Sequence, residues 1–227
     1  MIIEEYIKLF SSLKESREFD SFKLKIMKNL IIISIGVLAL FLSCAKSDQI
    51  LNPITSDNER IDEALTYCSA NNFNEDFCVL IDMSIHSGKK RLFILNLKTK
   101  EIEKSYLVSH GCGENRWESD ESKTTPKFSN TNDSHLSSLG KYSIGNRGWS
   151  SYGVNINYRI HGLEATNSNA NARDIVFHSW YPVSDEEIYP SGTAEGWGCP
   201  AVSNNAFLEI DPLLRNSEKA ILMWIYK

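Results

Sequence analysis

Three short apolar segments joined by turns constrain the fold of this chain more than any other feature of its sequence. They span residues 77–83, 91–97 and 101–108, and each has the length of one strand. A Ser-Gly-Lys-Lys sequence joins the first two and Lys-Thr-Lys joins the second pair, so both connections are short and polar. Two turn-linked hairpins in succession predict an antiparallel meander and, with it, a domain built around a sheet.

Later parts of the chain carry further strand and helix signals. Apolar segments of strand length are found at residues 141–144, 153–160, 175–177 and 220–226. Helical spacing of apolar side chains is found at residues 59–70 and 203–214, with Ser203 as the N-cap of the second helix. A chain of 227 residues with 42% hydrophobic residues can build one sizeable core. We therefore predict a fold that is mainly β with a few helices.

A long polar segment, residues 111–138, separates the meander from the later strands and shows no apolar periodicity. Loops of this length inside a compact domain are usually functional or mobile. We expect this segment to cover a substrate site as a lid.

Residues 196–201 (Gly-Trp-Gly-Cys-Pro-Ala) hold a cysteine between a glycine and a proline. Gly198 permits backbone dihedrals that a Cβ would forbid, and Pro200 fixes its own φ and lacks an N–H. The amides of Gly198 and Cys199 are then able to point at a developing oxyanion. His178 ends an apolar run that predicts a buried strand, so Cys199 and His178 are a candidate nucleophile and base.

Both residues also have a structural interpretation. Cys199 can be a small buried hydrophobe, and His178 can be a core histidine with satisfied hydrogen bonds. The sequence contains a competing pair as well, because residues 109–112 read Ser-His-Gly-Cys and have the form of a nucleophile loop around Cys112.

Over its C-terminal two-thirds the chain resembles the L,D-transpeptidase catalytic domain, a fold of the YkuD type. The motif of that family places a base histidine at a set distance before Ser/Thr-His-Gly-Cys. For Cys112 this distance leads to residues 89–92, which contain no histidine. For Cys199 it leads to residues 176–179, which contain His178. The spacing therefore favours Cys199 over Cys112 as the nucleophile.

The residues around Cys199 depart from the common form of that motif. Gly196 stands in the Ser/Thr position, Trp197 stands in the His position, and Pro200 follows the cysteine. This arrangement is similar to a divergent branch of the family, the murein L,D-transpeptidase catalytic domain, in which Gly-Cys-Pro-Ala/Thr-Val is usual. Residues 138–142, 162–164 and 167–170 match that branch as well.

The resemblance implies a YkuD-like β-sandwich or mixed sheet for residues 59–227. It also implies a cysteine acyltransferase that acts on peptidoglycan stem peptides through a thioester, with no metal or organic cofactor. The catalytic residues would be Cys199, His178 and Gly198, and the substrate-binding residues would be Trp197, Gly196, Trp180 and Arg173. Packing of the two tryptophans, with their neighbour Tyr181, and ordering of a loop by Arg173 stay open as structural alternatives.

Two other functions remain alternatives. A hydrolase with the same thioester chemistry would act as an L,D-carboxypeptidase or endopeptidase on stem peptides. A non-catalytic lipoprotein would only bind peptidoglycan, and the missing Ser and His of the motif favour it.

The N-terminal region predicts export. An apolar run at residues 30–43 follows several lysines and is shorter than the roughly 20 residues that span a bilayer. Its exit, Phe-Leu-Ser-Cys, resembles a bacterial lipobox in which Cys44 is acylated and anchors the protein in the membrane. We expect residues 27–43 to be a lipoprotein signal peptide, residues 44–58 a tether, and the location to be periplasmic. Residues 1–26 are expected to be an over-extended gene start, with a signal anchor and its cytosolic arm as the alternative.

The net charge and the cysteine spacing limit which partners and metal sites the sequence predicts. The net charge of −5 and the absence of a basic stripe argue against a nucleic-acid partner. The cysteine spacing does not predict a zinc site. Cys68 and Cys78 can form a disulfide or remain two buried thiols, and Glu195 is expected to be a solvated loop charge. The pattern predicts no particular oligomeric state.

Overall fold

The meander predicted from the turn-linked segments is present in the structure. Strands β1 (Phe77–Asp82), β2 (Leu92–Asn96) and β3 (Glu101–Tyr106) pair antiparallel in chain order. The computed structural model describes residues 58–227 of the chain. The remaining elements are α1 (Asn58–Ala70), β4 (Gly140–Trp149), β5 (Ile156–Gly162), β6 (Val176–Ser179), β7 (Ala201–Val202), α2 (Asn204–Arg215) and β8 (Ile221–Tyr226).

The eight strands form one mixed sheet in the order β3-β2-β1-β8-β4-β5-β6-β7. The pairs β1–β8 and β6–β7 are parallel, and the other neighbours are antiparallel. Strand β8 joins the meander to the other half of the sheet, and all six of its residues are buried. The prediction of a mainly β fold with a few helices, of the mixed-sheet kind, is therefore confirmed.

Two strands differ in extent from their predicted bounds, and a third was not predicted. Strand β4 continues well past residue 144, because its second half pairs with β5. Strand β5 begins only at Ile156, since Gly153 and Asn155 have positive φ angles of 55° and 61°, which place them in a turn. Strand β7 has only two residues and carries no periodicity that could predict it.

Helix α2 begins where its capping residue predicts. The side chain of Ser203 accepts a hydrogen bond from the amide of Ala206 at 3.0 Å, as an N-cap does. Phe207, Ile210 and Leu214 lie on one face of α2, and all three are buried in the main hydrophobic core. That core is shared with apolar side chains of β1, β2, β4, β5, β6 and β8.

Cys68 and Cys78, the two candidates for a disulfide, are free thiols with no solvent exposure. Burial raises the pKa of Cys68 to about 11, so this thiol stays protonated at neutral pH. The predicted signal peptide, most of the tether, and Cys44 lie outside the described residues. Within residues 58–227, neither helix combines the length and the apolar character that crossing a bilayer requires.

Candidate active site

A cavity of about 220 Å³ brings the predicted site residues together. Cys199, His178 and Arg173 line it, and so do the predicted substrate-binding residues Gly196, Trp197 and Trp180. Gly198 directly precedes Cys199 in the same loop. The remaining lining residues, which the sequence did not single out for this role, are Ser109, Trp117, Tyr152, Asp174 and Ala201.

The loop that carries the cysteine, residues 196–201, is held at both ends by the segment that follows β3. At one end, the amide of Gly196 donates to the carbonyl of His110 at 2.8 Å. At the other, the amide of Ser109 donates to the carbonyl of Ala201 at 2.8 Å. Parallel pairing of β6 with β7 places His178 opposite Ala201. Strand pairing therefore sets the relative position of the cysteine loop and the histidine.

Gly198 has the conformation that its position before the cysteine predicts. Its φ is +99°, and a Cβ at this position would lie 2.6 Å from the backbone oxygen of Leu136. Its carbonyl accepts a hydrogen bond from the hydroxyl of Ser137 at 3.1 Å. Within the described part of the chain, the amides of Gly198 and Cys199 donate to no other group. Neither N–H group is therefore committed to another acceptor, as a donor to an oxyanion requires.

The hydrogen bond of His178 fixes the tautomer of its ring. Nδ1 lies 2.9 Å from the backbone oxygen of Ser179, and a carbonyl oxygen can only accept, so Nδ1 carries the proton. Nε2 of the neutral ring is then an unprotonated acceptor. The side chain is mostly buried, and burial lowers the pKa of His178 although the hydrogen bond to Ser179 opposes that shift. The ring is therefore a neutral base at pH 7.

The sulfur of Cys199 is near backbone groups of the turn before β6. Sγ accepts the amide N–H of Val176 at 3.4 Å, and the thiol makes a weak contact of 4.0 Å to the carbonyl of Asp174. No hydrogen bond joins Sγ to the ring of His178 among the described residues. Burial raises the pKa of Cys199, opposed by the amide of Val176 and the charge of Arg173. The resting pair is therefore a thiol and a neutral imidazole in one cavity.

Arg173 holds the long polar segment against the cysteine loop. Its Nη1 donates to the carbonyl of Ser129 at 2.9 Å and to the hydroxyl of Ser138 at 2.7 Å. Its Nη2 donates to the carbonyl of Leu136. The structural alternative considered for Arg173 is thus present, although its side chain orders residues 129–138 and not the Asn-rich loop before β6 that the sequence suggested. Contact of its guanidinium with a substrate carboxylate stays a prediction.

Aromatic rings form one wall of the cavity. Trp117 stacks on Trp180 with 5.6 Å between ring centroids and lies 6.0 Å from Trp197, which in turn stacks on His135. Trp180 is buried, whereas 59% of Trp197 is exposed. Tyr181, for which the sequence left a place in the cleft and a packing role open, is 74% exposed and is not among the residues that line the cavity.

The histidine and the cysteine of the competing Ser-His-Gly-Cys segment do not line this cavity. His110 is fully buried, and its Nδ1 accepts a hydrogen bond from Nη2 of Arg91 at 2.8 Å. Its Nε2 must then carry the proton, which it donates to the hydroxyl of Ser122 at 2.7 Å. Burial lowers the pKa of His110 to about 3. Cys112 lines a separate cavity of about 990 Å³, which does not contain His178.

Glu195 is not the solvated loop charge that was expected, because its side chain has no solvent exposure. Oε1 accepts hydrogen bonds from the amide and the hydroxyl of Ser122 at 2.6 and 2.9 Å. Oε2 accepts from Asn115 and Ser119 at 3.3 and 3.2 Å. The carboxylate thus holds the long polar segment against the start of the cysteine loop, since Glu195 directly precedes Gly196. Distance along the chain concealed this role, since the donors lie more than 70 residues away.

Of the residues that the sequence did not assign to the site, Trp117 had the clearest signal. It is a lone tryptophan in a polar segment, and a large apolar ring in such a place usually has a partner. Ser109 lies in the segment that follows β3 and Asp174 lies in the turn before β6, and neither segment has a periodic signal in the sequence. Among residues 58–227, no group of three or more His, Cys, Asp or Glu side chains is arranged to hold a metal ion.

Comparison with known proteins places the chain in a sequence family. Residues 55–226 match the family model described as the L,D-transpeptidase catalytic domain. No curated protein gives a match.

Several solved structures are similar to this one. Bd1075 of Bdellovibrio bacteriovorus is 15% identical, with a TM-score of 0.40 over 68% of this chain and 49% of that one. The helical cell shape determining protein Pgp2 of Campylobacter jejuni is 12% identical, with a TM-score of 0.42 over 74% of this chain and 55% of that one. An L,D-transpeptidase of Xylanimonas cellulosilytica is 15% identical, with a TM-score of 0.35 over 67% and 61%. The matched part of each of these chains is thus less than two-thirds of its length.

Proposed function

Because this chain belongs to the L,D-transpeptidase catalytic domain family, we propose that it is a cysteine acyltransferase acting on the stem peptides of peptidoglycan. The acyl donor is a tetrapeptide stem, and its terminal D-alanine is the leaving group. Cys199 forms a thioester with the shortened stem, and the side-chain amine of a second stem takes the acyl group. The fixed tautomer of His178, in the same cavity as Cys199, is the observation that carries this proposal.

His178 acts as general base in the first half of the reaction. Its Nε2 lone pair takes the thiol proton as Sγ attacks the carbonyl carbon of the stem. The thiol must first exchange its weak contact with the Asp174 carbonyl for one with Nε2. The carbonyl of Ser179 accepts from Nδ1–H, so it orients the ring and stabilises the imidazolium that forms.

The oxyanion that develops on the attacked carbonyl accepts hydrogen bonds from the backbone amides of Gly198 and Cys199. When this intermediate collapses, the bond between carbonyl carbon and leaving nitrogen breaks, and the imidazolium gives its proton to that nitrogen. A Cys199 thioester and a free amino acid result. In the second half, the acceptor amine attacks the thioester, one amine proton passes through His178 to the departing sulfur, and the free thiol is restored.

Acylation by a carbapenem tests the proposed nucleophile. The strained β-lactam amide is an electrophile, and opening by a thiolate leaves a stable mass increment on the protein. We expect the full-length chain to gain that increment, as read by intact mass spectrometry. The adduct should be lost in Cys199→Ala and kept in Cys112→Ala, a matched removal of the other thiol from the neighbouring cavity. Absence of an adduct on the wild type would instead favour a protein that only binds peptidoglycan.

Hydrolysis is the alternative fate of the same thioester. Water in place of the acceptor amine would make the protein a carboxypeptidase or endopeptidase. Digestion of peptidoglycan sacculi with the purified chain separates the two activities, since cross-linking creates new muropeptide dimers and hydrolysis creates only shortened monomers or fewer dimers.

We further propose the organisation already expected from the sequence: a signal peptide over residues 27–43, a tether from Cys44 to residue 58, and a catalytic domain over residues 59–227. An acyl chain on Cys44 would anchor the domain on the periplasmic side of the membrane. Two features support this proposal. The apolar run has the length of a signal-peptide core, and the substrate class lies outside the cytoplasm.

A further inference from the structure

One hydroxyl in the cavity has no role in the scheme above. Ser109 has no solvent exposure, and its Oγ has no hydrogen-bond partner. Among residues 58–227 only one other buried side-chain oxygen or nitrogen lacks a partner, Oδ1 of Asn204, and Asn204 does not line the cavity. Ser109 does line it, together with Cys199 and His178.

The missing partner is notable because neighbouring serines are satisfied. The hydroxyl of Ser137 donates to the carbonyl of Gly198, that of Ser138 donates to the carbonyl of Ser129, and that of Ser179 accepts the amide of Val154. A buried hydroxyl without a partner costs about 1–3 kcal/mol. Ser109 cannot withdraw from its place, since its amide is hydrogen-bonded to Ala201 in the cysteine loop.

We propose that Ser109 is a substrate-binding residue whose hydroxyl donates a hydrogen bond to a carbonyl oxygen of the acyl-donor peptide. This inference rests on the proposed function, because it assumes that the cavity holds a peptide. A peptide carbonyl fits the site for two reasons. It accepts the hydrogen bond that Oγ lacks, and a neutral acceptor adds no charge to the cavity.

A serine at position 196 would place a hydroxyl close to that of Ser109. A Cβ built on Gly196 would lie 4.0 Å from Oγ of Ser109 and 3.8 Å from the ring of Trp180, both ordinary contact distances. Gly196 is not among the glycines with positive φ, so a serine fits there without backbone strain. A hydroxyl on residue 196 would therefore reach nearly the same part of the cavity. In this chain residue 196 is a glycine, and Ser109 in the neighbouring segment supplies a hydroxyl.

A hydroxyl swap in the full-length chain tests the proposal. The rate of Cys199 acylation by a carbapenem is measured for the wild type, Ser109→Ala, Gly196→Ser and the double variant. We expect Ser109→Ala to be roughly tenfold slower, the effect of losing one hydrogen bond of about 1.4 kcal/mol. The double variant should recover to within about threefold of wild type. Alkylation of Cys199 by iodoacetamide, a small reagent that needs no peptide contact, should proceed at the same rate in all four proteins.

Three results would overturn the proposal while leaving the proposed function intact, because the wild type would still be acylated. In the first, Ser109→Ala is no slower than wild type, and in the second, the double variant stays as slow as the single one. In the third, Ser109→Ala slows iodoacetamide as much as carbapenem, which would make Ser109 a residue that positions the thiol. No adduct on the wild type would overturn both. Thermal melting checks folding, and Ser109→Gly repeats the comparison if the alanine variant is unfolded.

Discussion

At the scale of single residues, burial shifts both members of the Cys199–His178 pair toward their neutral forms. The pKa of the thiol is raised and that of the imidazole is lowered. An ion pair of thiolate and imidazolium is therefore not the resting state, and the thiol must lose its proton as it attacks. This arrangement resembles a serine nucleophile with its histidine base more than a preformed thiolate.

The pH dependence of acylation follows from these two shifts. The base is present when His178 is neutral, and its lowered pKa keeps it neutral down to below the usual value of about 6.5. We expect the rate of carbapenem acylation to be level between about pH 6.5 and 8 and to fall with a midpoint below about 6.5. The measurement is the rate of adduct formation across a pH series.

A variant without the imidazole provides the control for that series. In His178→Gln the thiol has no base, so acylation should rise only as pH passes the raised pKa of Cys199, above about 8.5. An acid limb centred above pH 6.5 in the wild type would contradict the neutral-pair description.

Gly198 is a residue where one added methyl group has a large expected effect. Alanine at φ +99° is strained by about 1–3 kcal/mol, and its Cβ would press on the backbone oxygen of Leu136. We expect Gly198→Ala to lower the free energy of unfolding by at least that amount and to abolish acylation, since the oxyanion amides move. Urea denaturation and intact mass measure the two effects.

Gly196→Ala is the matched control for stability. It lies two positions before Gly198 in the same loop, and its Cβ would meet its neighbours only at ordinary contact distances. Its free energy of unfolding should stay within about 0.5 kcal/mol of wild type. Equal destabilisation by both variants would show that the backbone of Gly198 is not strained by a side chain.

Some residues of the site were predictable from the sequence and others were not. Cys199 and His178 stand out because glycine, proline and a buried strand end are local signals. Ser109 and Glu195 acquire their contacts only when distant segments pair, and neither residue differs in the sequence from a surface serine or glutamate. Local chemistry thus identifies the candidate nucleophile and base, whereas the residues that surround them are brought in by tertiary structure.

At the scale of elements, the segment 111–138 has little regular structure but is densely anchored. Glu195 holds its first half and Arg173 holds its second half. Trp117 extends from it to the cavity wall. The expected role as a lid stays a prediction, and any opening would have to break one of these two anchors.

We expect Glu195→Gln to destabilise the protein by about 1–3 kcal/mol, because a buried carboxylate that accepts four hydrogen bonds would become an amide with a single acceptor oxygen. The amide would also turn a donor toward the N–H and O–H of Ser122. Urea denaturation measures the loss. In this variant, amide hydrogen exchange in residues 115–122 should become faster than in wild type, and the increase should be larger there than in the strands.

Asp62→Asn is a suitable comparison for Glu195→Gln. It removes the same kind of charge from an ion pair with Lys100 in which both side chains are more than half exposed. Surface pairs contribute about 0–1 kcal/mol, so this variant should be nearly as stable as wild type. Similar losses in the two variants would mean that burial of Glu195 is not what makes it important.

The strand pattern was predicted best where both strands of a pair are adjacent in the chain. The meander of β1 to β3 is of this kind, and its turns are short. The extent of β4 and the existence of β7 depend on partners that are remote in sequence. Helix α2 was placed within one residue, since Ser203 and the apolar face of the helix are both local signals.

At the scale of the whole molecule, the proposed membrane anchor can be tested without reference to catalysis. We expect cells grown with labelled palmitate to incorporate the label into the wild-type chain and not into Cys44→Ala. The wild type should partition with membranes, whereas the variant should lose the acyl chain that stable anchoring requires. The readout is fluorography of the immunoprecipitated protein.

Cys68→Ala is the control for that labelling, because Cys68 is a buried thiol inside the domain that a lipid-transferring enzyme cannot reach. It should be labelled like wild type. Label that persists in Cys44→Ala would contradict the lipoprotein proposal without affecting the catalytic one.

Strand β8 follows every other element of the sheet in the chain, yet it lies at the centre, between β1 and β4. The two groups of strands on its flanks cannot be joined until the ribosome has made all of this domain. A nascent chain therefore lacks the central strand of its sheet throughout most of translation. Late completion of the sheet is compatible with the export proposed above, which would require the chain to cross a membrane before it folds.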